Sequence, residues 1–160
     1  MHLASFPALG GRTMILIVED DPDDSFFLLQ QLAELELEKE ICIIEDGRDA
    51  LDFLLQVSPV PYAVFLDLNL PRIGGVQLLE EIRKEPRFHA LPIIVMTGSI
   101  DPADADKCER LGICAYSSKP ISIDLLQNII HFGNSRWSYL PRPVDPHLAE
   151  VAFSVLHDGT

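Results

Sequence analysis

Short apolar runs alternate along this chain with longer stretches in which apolar residues recur at helical spacing. Met14–Val18 is continuously apolar and ends in acids, as expected for a strand buried on both faces. Runs of the same kind recur at Ile41–Ile44, Tyr62–Leu66, Pro92–Met96 and Ile113–Tyr116. Between them lie helical patterns. Asp21 can cap a helix opened by Pro22, with Phe26, Leu29, Leu32 and Ala33 on its apolar face. Asp46 can cap a second, carrying Ala50, Leu51, Leu54 and Leu55. Pro71, Gly74 and Gly75 predict a loop, after which Val76, Leu79, Ile82 and Arg83 face a third helix that stops near Pro86. Asp101 and Pro102 open a fourth that runs to Leu111, with Gly112 suited to end it. A fifth is expected over Ser122–Phe132.

The pattern predicts an α/β fold of five strand–helix units, with a parallel sheet covered by helices on both faces. Ligands of such sheets bind at the carboxyl ends of the strands. The first strand ends at Glu19 and Asp20, the third at Asp67, the fourth at Thr97 and the fifth near Lys119. Taken singly, these residues read as a solvated turn, a helix cap, a turn hydroxyl and a surface lysine. Taken together, they place carboxylates, a hydroxyl and an ammonium on one rim.

Charge narrows the chemistry. There are 12 Lys and Arg against 25 Asp and Glu, a formal charge of −13. That balance disfavours binding to nucleic acid or to an anionic membrane, both of which need clustered cations. The three cysteines, Cys42, Cys108 and Cys114, are too few and too irregular for a disulfide framework or a zinc site, and they fit a reducing cytoplasm. The five histidines form no ligand-spaced group. No apolar run reaches the roughly 20 residues of a membrane span, and residues 1–13 lack a signal-peptide core, so a flexible lead-in is expected there.

A carboxylate attacks a phosphoryl group poorly unless the repulsion between them is removed. Asp20 and Asp67 can hold Mg2+ (or Mn2+), with Glu19 acting through a water and the Asn69 carbonyl completing the set. Lys119 can neutralise one phosphoryl oxygen and the Thr97 hydroxyl can donate to another.

The segments Ile15-Leu-Ile-Val-Glu-Asp-Asp21, Phe65-Leu-Asp-Leu-Asn-Leu-Pro71, Val95-Met-Thr-Gly98 and Ser118-Lys-Pro120 together resemble the response-regulator receiver family of two-component signalling. The resemblance covers about residues 14–132. It implies a flavodoxin-like doubly wound fold of sheet order 2-1-3-4-5. Asp67 becomes the phosphoacceptor, Glu19 and Asp20 the acidic pair, and Lys119 the lysine that contacts the phosphoryl group. Thr97 and Tyr116 become a switch pair. A sensor histidine kinase is the implied donor, and a face made by the fourth helix, fifth strand and fifth helix is the implied output. Asn69 and Ser99, small and polar beside the site, are expected to tune the phosphorylated lifetime.

Residues 133–160 are expected to form an extension too short for a helix-turn-helix output domain, so that output goes to a protein target. Ser135-Arg-Trp-Ser-Tyr-Leu-Pro141 resembles the endings of small receivers that partner bacteriophytochromes, which brings in a homodimer. A relay role, passing the group to a histidine phosphotransfer protein, is the alternative. A phosphatase of the haloacid dehalogenase type also uses an aspartate after a strand. It needs a second Asp two residues on, where this chain has Asn69. No enzymatic activity is expected beyond self-catalysed phosphoryl acceptance and slow autodephosphorylation.

Overall fold

A computed structural model describes residues 14–35, 40–98 and 101–127. Five parallel strands form one sheet in the order β2-β1-β3-β4-β5, as the resemblance implied. The strands are β1 (Met14–Val18), β2 (Glu40–Ile44), β3 (Ala63–Asp67), β4 (Ile93–Thr97) and β5 (Ala115–Ser118). The helices are α1 (Pro22–Glu34), α2 (Gly47–Gln56), α3 (Gly75–Lys84), α4 (Pro102–Arg110) and the α5 turns over 123–127. No described helix is long and apolar enough to cross a membrane.

Alternation along the strands divides the core in two. Leu16 and Val18 of β1 face a cluster with Leu51 and Leu54 of α2, Leu78 and Ile82 of α3, and Cys108 of α4. Ile15 and Ile17 face the other way, onto Leu28 and Leu32 of α1 and Leu125 and Leu126 of α5. β1, β3 and β4 are buried along their whole length, because helices cover both faces.

The predicted caps form. Asp21 accepts from the amides of Asp23 and Asp24, Asp46 from those of Arg48 and Asp49, and Asp101 from that of Ala103. Gly112 follows α4 at φ +76°, a conformation that costs glycine nothing.

Several expectations shift. The buried face of α1 is Ser25, Leu28, Gln31 and Leu32. Phe26, expected inside, is 60% exposed, and Ala33 is also exposed. The face turns because two polar residues can be buried with partners. Ser25 Oγ donates to the Asp21 carbonyl at 2.9 Å and Gln31 Nε2 to the Ile121 carbonyl at 2.6 Å. Leu55 of α2 is likewise exposed, with Phe53 inside in its place. β5 begins at Ala115 instead of Ile113, because its pairing with β4 starts there, opposite Ile94.

Candidate functional site

The carboxyl ends of β1, β3, β4 and β5 bring together the residues that the strand order selected. Asp67 and Thr97 are the last residues of β3 and β4, and both are buried. Glu19 follows β1, where its amide donates to the Ile44 carbonyl at 3.0 Å and extends the sheet by one bond. Lys119 follows β5, and its amide donates to the Thr97 carbonyl at 2.8 Å. The Lys119–Pro120 peptide is cis.

Glu19, Asp20 and Asp67 each offer a carboxylate oxygen, and these oxygens lie within 4.8 Å of one another. Glu19 and Asp67 are buried while Asp20 opens to solvent, so the group has one wet side. The Lys119 ammonium donates to Glu19 Oε1 and, at 3.0 Å, to Asp24 Oδ2, and it forms an ion pair with Asp67 Oδ2 at 3.1 Å. Burial works against the Lys119 charge, but the Glu19, Asp24 and Asp67 carboxylates outweigh it and hold the ammonium above its usual range. Burial pushes Glu19 up to about 7 despite the Lys119 bond, and the neighbouring Asp67 carboxylate adds to the rise. Asp67 Oδ1 accepts from the Asn69 amide at 3.1 Å, so the chain beyond β3 folds back onto its own carboxylate.

Gly75 makes that fold-back feasible. A Cβ there would lie 2.5 Å from the Asp67 carbonyl oxygen and 2.6 Å from Leu68 Cα. The start of α3 therefore rests directly on the backbone of Asp67, and the Gly75 amide donates to the Leu68 carbonyl at 2.9 Å. Gly75, expected in the loop, is the first residue of α3.

Tyr116 sits inside, 1% exposed. Its hydroxyl points toward the backbone of Asp101 at the start of α4 without closing a well-formed hydrogen bond, and burial pushes it up to about 12. The side chain of Asn69 is exposed. Ser99, residues 1–13 and the extension over 133–160 lie outside the described residues.

Asp24 is a partner of Lys119 that sequence reasoning missed. It stands in the first turn of α1, where an acid is ordinary, and its partner is 95 positions away. Only the fold joins them.

The response regulator receiver domain model matches residues 15–131. Response regulator Rcp1 of Synechocystis sp. (strain PCC 6803) is 32% identical over 129 residues, covering 78% of this chain and 88% of that protein. Its Mn(2+)-bound crystal structure superposes with a TM-score of 0.68, covering 77% of this chain and 95% of the other at 31% identity. The bacteriophytochrome response regulator AtBRR aligns at a TM-score of 0.69 and 28% identity, over 82% of this chain and 99% of its own. A Vibrio cholerae protein named Probable cyclic di-GMP phosphodiesterase is 35% identical over 117 residues, 73% of this chain. The chain spans only 25% of that relative's length. Sheet order, rim chemistry and these matches agree: the chain belongs to the response regulator receiver family.

Proposed function

We propose that this receiver accepts a phosphoryl group from a sensor histidine kinase onto the Asp67 carboxylate and signals through a protein surface. One observation carries the reading. A buried carboxylate at the end of the central strand is held by a lysine ammonium, with two further carboxylates converging beside it. Hard oxygen donors around a partly wet space suit Mg2+ or Mn2+, and would suit soft metals poorly. Glu19, Asp20, Asp67 and the Asn69 carbonyl would hold the ion. When bound, such a cation neutralises the charge that keeps a carboxylate and a phosphoryl group apart.

The protein's own groups do the rest. An Asp67 oxygen forms the new bond to phosphorus as the bond to the donor's leaving atom breaks. Lys119 moves its charge onto a phosphoryl oxygen, and the Thr97 hydroxyl donates to another. With the group in place, Thr97 moves toward it, and Tyr116, which turns between outward and inward positions as the other half of the switch pair, is held in the inward position it has here. The face of α4, β5 and α5 is then read by a protein target. Asn69 and Ser99 set how readily water reaches the acyl phosphate.

The receiver core over 14–132 carries the chemistry, with 133–160 as an extension that supports a homodimer. Likeness to AtBRR and Rcp1 favours a bacteriophytochrome as the kinase. A cytoplasmic setting suits three cysteines that are all buried as free thiols.

Incubation with acetyl phosphate and Mg2+, followed by intact mass measurement, tests the proposal. One added phosphoryl group is expected in the wild type, and none in Asp67→Ala or in the wild type with chelator. An equal gain in Asp67→Ala would refute it.

A further inference from the structure

The loop that leaves β3 after Asp67 is built with little slack. Pro71 fixes its own φ and keeps Leu70 before it extended. The Ile73 amide donates to the Pro71 carbonyl at 2.8 Å, which closes a γ-turn around Arg72. Arg72 stands there at φ +64°, and among the described residues it is the non-glycine residue with positive φ. A residue with a Cβ keeps such a conformation when its surroundings hold it. Here they do. Arg72 Nε donates to Asp46 Oδ2 at 2.6 Å and its Nη2 to Asp49 Oδ1 at 2.7 Å. The other oxygen of Asp46 caps α2, so one carboxylate serves both the helix start and the turn. The Gly47 amide donates to the Pro71 carbonyl at 3.3 Å, and a Cβ on Gly47 would collide with the Ile73 carbonyl.

These contacts act just beyond Asn69. On its other side, the Asn69 amide is held by Asp67 Oδ1. The peptide that carries the Asn69 carbonyl therefore lies between two fixed points. The Arg72 side chain is 56% exposed, and ion pairs that wet add little to global stability. What they restrain is the turn.

We propose that Arg72 is a positioning residue: by pairing with Asp46 and Asp49 it holds the turn after Asp67, fixes the Asn69 carbonyl, and so favours Mg2+ over Ca2+ at the site. This rests on the metal reading given above, in which that carbonyl is a ligand. Mg2+ demands near-ideal octahedral geometry at about 2.0–2.1 Å, whereas Ca2+ accepts oxygens at about 2.3–2.6 Å in a flexible arrangement. A carbonyl set loose by a slack turn is a loss for the smaller ion and almost none for the larger. Charge alone makes the opposite forecast. A guanidinium repels a metal cation, so a pure field effect would tighten the binding of both ions when Arg72 is removed.

Calorimetric titration of the full chain with Mg2+ and, separately, with Ca2+ tests this. Arg72→Gly suits the purpose, because glycine takes a positive φ freely and the turn can form while its ion pairs are lost. Its dissociation constant for Mg2+ is expected to rise about three- to tenfold, at or below the usual cost of losing a group that orients a ligand. That for Ca2+ should stay within about twofold of wild type. Asp49→Asn removes one partner of Arg72 and leaves the Asp46 cap in place. It should weaken Mg2+ binding about twofold, the size of one exposed ion pair, with Ca2+ again unchanged. Combining the two substitutions should cost no more than Arg72→Gly alone. Unchanged or tighter Mg2+ binding in Arg72→Gly overturns the proposal. An equal loss for both ions overturns it too, since damage to the fold would produce that. A further loss in the double variant would also defeat it, by showing that Asp49 acts apart from Arg72. No Mg2+ binding by the wild type would remove the metal site itself, and the proposal with it.

Discussion

Two half-buried cations stand at opposite rims of the sheet, and they are held in opposite ways. Lys119, at the carboxyl rim, pairs with three carboxylates. Arg83, on α3, donates to four backbone carbonyls at the amino rim. They belong to Leu111 at 2.7 Å, Leu91 and Gly112 at 3.0 Å each, and Phe88. Phe88 and Leu91 lead into β4, and Leu111 and Gly112 lead into β5. Arg83 therefore binds α3 to the entries of two strands. Burial pulls its pKa down, but a guanidinium stays charged. Its acceptors are backbone atoms fixed by secondary structure, and its fork is planar and preorganised. Those of Lys119 are side chains, one of them exposed, around a compact charge that can turn among them. A joint made to fixed neutral acceptors holds the fold; a joint made to exchangeable anions leaves room for chemistry.

Substitution should separate the two. The largest effect is expected from Lys119→Met. The rate of phosphoryl acceptance from acetyl phosphate should fall on the order of 10²- to 10³-fold, as when a preorganised charge donor is removed from a reacting centre. Melting of this variant should respond to Mg2+ more strongly than that of the wild type, since Glu19 and Asp67 then lack their cation. Arg83→Met should do the reverse. Denaturant unfolding should show a loss of about 2–4 kcal/mol, because several carbonyls lose their donor. Acceptance per folded molecule should stay within about twofold of wild type. Gly75→Ala breaks the division by touching both. Its Cβ would push against the Asp67 carbonyl, so a loss of about 1–3 kcal/mol is expected together with slower acceptance. A Gly75→Ala variant of wild-type rate would show that α3 does not position Asp67.

The same contrast explains what could be read from the sequence. Glu19, Asp20, Asp67, Thr97 and Lys119 were legible because each follows an apolar run, and parallel strands deliver all such ends to one rim. The sheet order came from resemblance, and no spacing rule alone would have supplied it. Arg83 was placed on a helix face by its spacing, but nothing local shows four carbonyls waiting at that face. Asp24 was hidden for a similar reason, as an acid in a first turn that looks like any helix start. The face of α1 was misjudged at Phe26-Phe27-Leu28-Leu29, where four apolar residues run together. Hydrophobicity cannot choose a phase there. The choice falls to Ser25 and Gln31, whose burial depends on partners at Asp21 and Ile121. Gln31 in particular needs a carbonyl 90 positions away.

The central claim is that Asp67, among the three converging carboxylates, carries the phosphoryl group. Reduction with borohydride after loading with acetyl phosphate and Mg2+ tests it most directly, because an acyl phosphate is reduced to an alcohol while free carboxylates are untouched. Peptide mass spectrometry should then find residue 67 converted to homoserine, with Glu19, Asp20 and Asp24 unchanged. Conversion at Asp20 or Glu19, with residue 67 still aspartate, would contradict the account.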